Sequence, residues 1–152
     1  MPISIRPNTP EDGERLIDIW RRAVDATHHF LAPADRRAID AEVQAFLPGA
    51  SLALAVDEGD RPIGFMLIAG SHMEALFIDP DRRGQGVGAA LVDHVTAQNP
   101  TLTTDVNEQN TQAVGFYHRL GFRQVGRSEQ DGQGRPYPLL HLERRRSPMS
   151  PD

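Results

Sequence analysis

The stretch Leu76-Phe77-Ile78-Asp79-Pro80-Asp81-Arg82-Arg83-Gly84-Gln85-Gly86-Val87-Gly88-Ala89 decides the reading of this chain. Three apolar residues suit the end of a strand, and Pro80 marks its stop. Two guanidinium groups follow, then three alternating glycines where a helix begins. Alternating glycines expose backbone N–H groups with no side chain in the way, and a helix start aims further unpaired N–H groups at the same point. The partial positive charge of a helix N-terminus adds to them, so the segment reads as a cradle for a phosphate or pyrophosphate. A glycine-rich surface turn with solvated arginines is the plainer alternative.

Three phosphate motifs compete for the segment. A nucleotide P-loop needs Gly-Lys-Ser/Thr after its glycines, and the chain contains no lysine. A dinucleotide fingerprint fits Gly84-x-Gly86-x-x-Ala89, with Asp105 beyond a later strand-like run. That fingerprint turns tightly from strand to helix within a parallel sheet. Here Asp79 to Arg83 intervenes, and the preceding runs read as antiparallel neighbours. The third reading takes Arg83-x-x-Gly86-x-Gly88 as a loop for the pyrophosphate of coenzyme A.

Working outward, Ile3 to Arg6 suits a first strand. Thr9-Pro10-Glu11-Asp12 supplies an N-cap, a proline at the first helical position and acids in the first turn. Leu16, Ile17, Trp20, Ala23 and Val24 recur with helical spacing and read as a core-facing stripe. Pro33 starts a second helix that Pro48-Gly49 ends. Leu52, Leu54 and Val56 alternate as in a strand, Asp57-Glu58-Gly59-Asp60 turns, and Pro62 to Ile68 returns as a hairpin. Ser71 to Ile78 is the strand feeding the glycine loop, and Gly88 to Thr96 is its helix. After Asn99-Pro100 come a strand from Leu102 to Val106 and a helix from Gln109 to Leu120, with Gly121 as its stop. Two final strands, Phe122 to Arg127 and Pro136 to Leu142, flank a turn at Asp131 to Gly134. The fold class expected is mixed α/β: a central, mostly antiparallel sheet of about seven strands with helices on both faces. One domain is expected over residues 1–146, with a solvated tail at 147–152 and frayed arginines at 144–146.

Composition narrows the function classes. A hydrophobic content of 39% with 24% charged residues suits a soluble globule. No apolar run approaches the ~20 residues of a membrane span, and the N-terminus lacks a signal peptide's charged start and apolar core, so a cytoplasmic protein is expected. A net charge of −5 argues against nucleic acid as the main partner. Without cysteine there are no disulfides, no thiolate metal sites and no cysteine nucleophile. No His-Glu-x-x-His spacing suggests a metal, and Gly-x-Ser-x-Gly is absent.

Arg83-Gly84-Gln85-Gly86-Val87-Gly88 resembles the acyl-CoA signature of the GCN5-related N-acetyltransferases (GNAT). Asn110-x-x-Ala113-x-x-Phe116-Tyr117-x-x-x-Gly121-Phe122 is similar to that family's later helix and the strand after it. The resemblance covers the chain up to Glu143. Within the family it is most similar to small bacterial stand-alone enzymes, through Val24-Asp25-Ala26-Thr27-His28, His72 to Pro80, Asn107 to Asn110 and Pro136 to Leu140. It implies a GNAT fold and transfer of the acetyl group of acetyl-CoA to a primary amine, either a protein lysine or a small molecule. With no cysteine, direct transfer in a ternary complex is expected. A non-catalytic acyl-CoA-binding sensor is the rival from another class. Neither membrane nor nucleic acid is an expected partner, and either a monomer or a homodimer fits.

The resemblance also implies roles for residues. Gly84, Gln85, Gly86, Val87, Gly88 and Ala89 would give N–H donors to the pyrophosphate, and Arg83 nearby charge. Backbone of Leu76, Phe77 and Ile78 would pair with the pantetheine arm and offer an N–H to the thioester carbonyl. Asn107 and Asn110 would lie across the pantetheine, with Phe116 near its end. Tyr117 is the expected leaving-group acid, since a phenol of reference pKa ~10 keeps its proton at neutral pH; a packed aromatic is the alternative. For the base, Glu74 and His72 share one face of their strand by period-two alternation, and the choice between them stays open. His28 and His29, after the first helix, border the acceptor groove in the family, and His141 on the last strand faces it in this reading. His94 and His118 read as exposed helix positions.

Overall fold

The computed structural model describes residues 3–145; the expected tail at 147–152 lies outside them. Hydrogen bonding orders seven strands as β1-β2-β3-β4-β5-β7-β6. They are β1 (Ser4–Pro7), β2 (Ala53–Val56), β3 (Pro62–Ala69), β4 (His72–Ile78), β5 (Thr101–Asn107), β6 (Arg123–Ser128) and β7 (Leu139–Arg145). Four helices accompany them: α1 (Gly13–Thr27), α2 (Pro33–Phe46), α3 (Val87–Thr96) and α4 (Thr111–Arg119). β1/β2, β2/β3, β5/β7 and β6/β7 are antiparallel, and β4/β5 is parallel. The mixed, mostly antiparallel sheet expected from the hydrophobic pattern is the one found. The described chain forms two compact units: residue 3 to Leu67 with Ala75–His94, and Ile68–Glu74 with Val95 to residue 145.

In the first unit, the apolar stripe of α1 buries Leu16, Ile19, Trp20 and Val24 against Leu54, Val56 and Phe65 of the β2/β3 hairpin. Strand alternation sends Gly64 to the opposite face from Phe65. There a Cβ would meet Val87 at the start of α3, so this unit carries helices on both faces of β3. Ahead of α1 the chain makes a short 3-10 turn at Pro10–Asp12. The Thr9 amide donates to Asp12 Oδ2 at 2.7 Å, and Arg6 reaches both oxygens of that carboxylate at 3.0 and 3.1 Å. Thr9 is the N-cap residue of this 3-10 turn, one turn ahead of the α-helix proper, and the capping contact runs from its amide and hydroxyl to the Asp12 carboxylate.

In the second unit, β5 alternates cleanly. Leu102, Thr104 and Val106 are buried, while Thr103, Asp105 and Asn107 are not. Tyr117 on α4 is buried and hydrogen-bonds Thr104 on the inward face of the strand. β7 begins at Leu139, later than the expected Pro136, because Pro136 and Pro138 have no N–H to give a ladder. It runs on through Arg144 and Arg145, which corrects the expectation of frayed arginines there. Arg144 Nη1 donates to Thr96 Oγ1 at 2.8 Å, and Arg145 Nε to Glu143 Oε1 at 2.6 Å. Arg146 lies outside the described residues. Between Gln124 and Gly126 the β6/β7 register shifts, a bulge that sets Gly126 opposite His141.

Candidate active site

The glycine loop belongs to the first unit. Its approach is fixed by Asp79, which is buried and accepts from Arg15 Nη2 at 2.6 Å, Arg22 Nη1 at 2.8 Å and the amide of Asp81 at 3.0 Å. Burial pushes this carboxyl up, but the Asp81 amide and the two arginines outweigh it and hold it below the usual carboxylate range. The Asp79 amide in turn donates to Ile63 O at 2.9 Å, and Arg82 Nη2 reaches Asp57 Oδ2 at 3.1 Å. The end of β4 and the turn after it are thus anchored to α1 and the β2/β3 hairpin. None of this was drawn from the sequence, where Asp79 served only as the start of the segment between strand and glycines.

Past that anchor, Gly84 and Gly86 have φ of +76° and +80°, a region that side chains rarely adopt. The Ala90 amide bonds to Gly86 O at 2.9 Å, and Val87, Gly88 and Ala89 occupy the first turn of α3, whose amides have no acceptor within a helix. The amides of Val87, Gly88 and Ala89 therefore point out of the helix start, as a first turn requires. A Cβ on Gly84 or Gly86 would meet nothing within 4 Å, so the space above the loop is open. The Arg83 guanidinium is exposed and has no partner among the described residues. Beside the loop, Ile3, Ile63, Arg82 and Gln85 line a cleft of about 220 Å³.

β4 spans both units. Its register with β5 pairs His72 with Thr103 and Met73 with Thr104, and no later pairing with β5 is described. Leu76, Phe77 and Ile78 continue beyond that register, each half-buried. Phe77 packs on Phe65 with ring centroids 5.7 Å apart. In the same unit, His28 caps the end of α1. Burial pushes its imidazole down to about 4, with the neighbouring His29 adding to the effect. Its Nδ1 lies 2.7 Å from Thr27 Oγ1, and exposed His29 sits 3.0 Å from Ala26 O.

In the second unit the residues divide between two faces. On the inward face, Tyr117 stacks edge-on against Phe116 and Phe122, with centroids at 5.2 and 5.3 Å. Burial pushes its phenol up to about 12. Thr104 Oγ1 spends its own proton on Met73 O at 2.9 Å, which leaves its oxygen to accept from Tyr117. Asn110, expected at the cofactor, is buried as the N-cap of α4. Its Oδ1 accepts from the Ala113 amide at 3.2 Å, which starts the helix two residues later than expected. Asn107 Oδ1 accepts from the Gln109 amide at 2.9 Å.

On the outward face, His72 and His141 share one carboxylate. His141 Nδ1 lies 2.6 Å from Asp105 Oδ1, and His72 Nε2 lies 3.4 Å from Asp105 Oδ2. Beyond them, Ser128 Oγ is 2.6 Å from His141 Nε2, and Thr103 Oγ1 is 2.7 Å from His72 Nδ1. Glu74 stands on the same face, two residues along β4 and exposed. Asp105, Ser128 and Thr103 were absent from the expected site. The signal for two of them was present: alternation along β5 places Thr103 and Asp105 opposite the buried Leu102 and Val106. No group of three or more His, Asp or Glu suited to a metal ion occurs among the described residues.

Comparison with known proteins matches residues 17–137 to the acetyltransferase (GNAT) domain profile. The chain is 59% identical to the peptidyl-lysine N-acetyltransferase YjaB of Salmonella typhimurium, over 93% of this chain and 98% of that protein. It superimposes on the solution structure of apo-form YjaB from Escherichia coli with a TM-score of 0.91. Identity there is 57%, over 94% of this chain and 97% of the other. The PaiA N-acetyltransferase of Thermoplasma acidophilum, solved in complex with coenzyme A, shares the fold. Its TM-score is 0.75 at 20% identity, over 95% of this chain and 99% of that one.

Proposed function

Since the chain belongs to the acetyltransferase (GNAT) family and is an N-acetyltransferase, we propose that it moves the acetyl group of acetyl-CoA to the side-chain amine of a protein lysine. The acceptor follows from its likeness to relatives named peptidyl-lysine N-acetyltransferases. Carrying the cofactor part of the reading is the loop from Arg83 to Ala89. Two positive-φ glycines present the outward amides of a helix start beside the exposed Arg83 guanidinium, which matches the needs of a pyrophosphate. Leu76, Phe77 and Ile78 would pair with the pantetheine arm as an added strand, and one of their amides would face the thioester oxygen as charge develops on it. Asn107, Asn110 and Phe116 complete the cofactor-binding set carried over from the family.

The reaction balances without an acyl-enzyme. The amine nitrogen bonds to the thioester carbon and gives one proton to a base on β4, His72 or Glu74. The C–S bond then breaks, and the thiolate leaves with the electron pair and takes a proton from Tyr117. A lysine amine of pKa ~10.4 is neutral in about one molecule in 10³ at pH 7, which is why a base is needed. His28, His29 and His141 are assigned to the acceptor side. Among the described residues no helix is long and apolar enough to cross a membrane, in keeping with a cytoplasmic reaction.

Mixing the protein with acetyl-CoA and a panel of lysine peptides tests the proposal, with free thiol and peptide mass as readouts. Thiol release matched by acetylated lysine is the expected result. Tight acetyl-CoA binding with no product from any peptide or small amine would leave a sensor in place of an enzyme.

A further inference from the structure

Outside the proposed cofactor loop, a polar array crosses β4, β5, β7 and β6 on the outward face of the second unit. Its four ring nitrogens are not equivalent. His141 is fully engaged, with Nδ1 on Asp105 at 2.6 Å and Nε2 on Ser128 at 2.6 Å. His72 Nδ1 is engaged by Thr103 at 2.7 Å. Only His72 Nε2 has no hydrogen bond among the described residues, although a carboxylate oxygen stands 3.4 Å away. The Thr103 contact is compatible with either tautomer of His72; when the proton is on Nδ1, the ring donates to Thr103 Oγ1 and the Nε2 lone pair is open to take a proton. Nε2 faces Asp105 Oδ2 at 3.4 Å.

The backbone is shaped to keep this array. A Cβ on Gly126 would come within 3.3 Å of His141 Cδ2, and the bulge between Gln124 and Gly126 brings this glycine opposite the ring. Held from Ser128 through His141, Asp105 is fixed by Oδ1 and turns Oδ2 toward His72. The other charged groups on this face are Glu74, Glu143, Arg145 and Arg123, and Glu143 is taken up by Arg145. His72, Asp105 and His141 side chains are 30%, 37% and 34% exposed, open enough for an acceptor to approach and for a proton to reach water.

We propose that His72 is the base of the acetyl transfer and that Asp105 is its positioning residue, itself held in place by His141 and Ser128. The inference rests on the acetyltransferase reading above and chooses between the two bases that reading leaves open. In the reaction His72 Nε2 takes one proton from the acceptor amine as the N–C bond forms. Asp105 balances the imidazolium, and the proton then passes to water, restoring the neutral ring. Asp105 and His141 are never protonated or deprotonated in the step.

The test is a double-variant cycle in the full-length protein, with acetyl-CoA and a lysine peptide. His72→Gln is expected to lower kcat by about 10²-fold, within the usual range for an acid–base group. Asp105→Asn should lower it by roughly tenfold or more, with the KM of the peptide and the Kd of acetyl-CoA changed less than twofold. Because Asp105 acts through His72, the double variant should be no slower than His72→Gln alone. His141→Phe, which releases Asp105 Oδ1, should behave like Asp105→Asn and stands in if that variant melts. Losses that multiply in the double variant, or His72→Gln within twofold of wild type, overturn the assignment while leaving the acetyltransferase reading intact. A wild-type protein that binds acetyl-CoA and acetylates nothing overturns both.

Discussion

A Cβ on Gly64 would stand 2.9 Å from Val87 Cγ1, 3.0 Å from Ile78 Cδ1 and 3.2 Å from the Phe77 carbonyl oxygen. Val87 is the first residue of α3 and Ile78 the last of β4, so the bare face of Gly64 seats both ends of the glycine loop. One of the three obstacles is backbone, which cannot rotate aside. Gly64→Ala should therefore cost about 1–3 kcal/mol, as overpacked cores do. It should also weaken acetyl-CoA binding by displacing the start of α3. Chemical denaturation and calorimetric titration read the two effects, and a stability within ~0.5 kcal/mol of wild type would mean the helix shifts freely.

Gly86 makes a separate demand. At φ +80°, with nothing near its absent Cβ, it is required for its backbone and not for packing. Gly86→Val should cost stability of about 1–3 kcal/mol through backbone strain. In protein still folded at assay temperature, it should remove most acetyl-CoA affinity, because the β-branched side chain would occupy the open space above the loop amides. Unchanged affinity by calorimetry would move the pyrophosphate elsewhere.

Most of the architecture was open to reading because it rests on periodicity. The α1 stripe, the alternation of Leu54 and Val56, and the glycine spacing after Arg83 each carry their signal within one segment. The array around Asp105 does not. His72, Asp105, Ser128 and His141 come together through the order β4-β5-β7-β6 and the bulge before Gly126, and no local pattern states either. Asp79 was hidden for the same reason: its partners Arg15 and Arg22 lie 64 and 57 residues away in the chain. Asn110 could be read in two ways, since an Asn before a helical run is both a family motif residue and a good N-cap. Its cap bond to Ala113 accounts for its burial without any ligand.

Stability should fall as the medium is acidified, beginning with His28. Burial depresses its pKa from about 6.5 to about 4, so between those values the unfolded chain binds the extra proton and the folded chain does not. The unfolding free energy then rises with pH across that window and is flat in this group above it. His28→Phe, which keeps a ring beside Phe30, should flatten the slope between pH 4 and 6.5. Below about 4 a second loss is expected as acid protonates carboxyls that their hydrogen bonds to arginine hold down, Asp12 at about 2 by Arg6 and Asp40 by Arg21 and Arg36. Urea melts at successive pH values would show both. A variant slope equal to that of wild type would clear His28.

Tyr117 provides the sharpest separation of packing from chemistry. Its ring is wedged between Phe116 and Phe122, and Phe at this position keeps those contacts. The hydroxyl's partner, Thr104, still has Met73 O for its own proton, so removing the phenol oxygen leaves no buried donor stranded. Tyr117→Phe should therefore lose no more than about 1 kcal/mol of stability, the usual worth of one hydrogen bond. Turnover is another matter. A phenol pushed up to about 12 keeps its proton across the whole working range, and it can donate to a developing thiolate once that proton leaves Thr104. Losing the donor should lower kcat by about 10²–10⁴-fold while acetyl-CoA affinity changes little. Water entering the space left by the hydroxyl would place the loss at the lower end. The wild-type rate should show no alkaline decline attributable to Tyr117 below pH 10, because the phenol is still protonated there. If Tyr117→Phe turns over within twofold of wild type, under conditions where chemistry limits the rate, Tyr117 anchors α4 and does not protonate the leaving group.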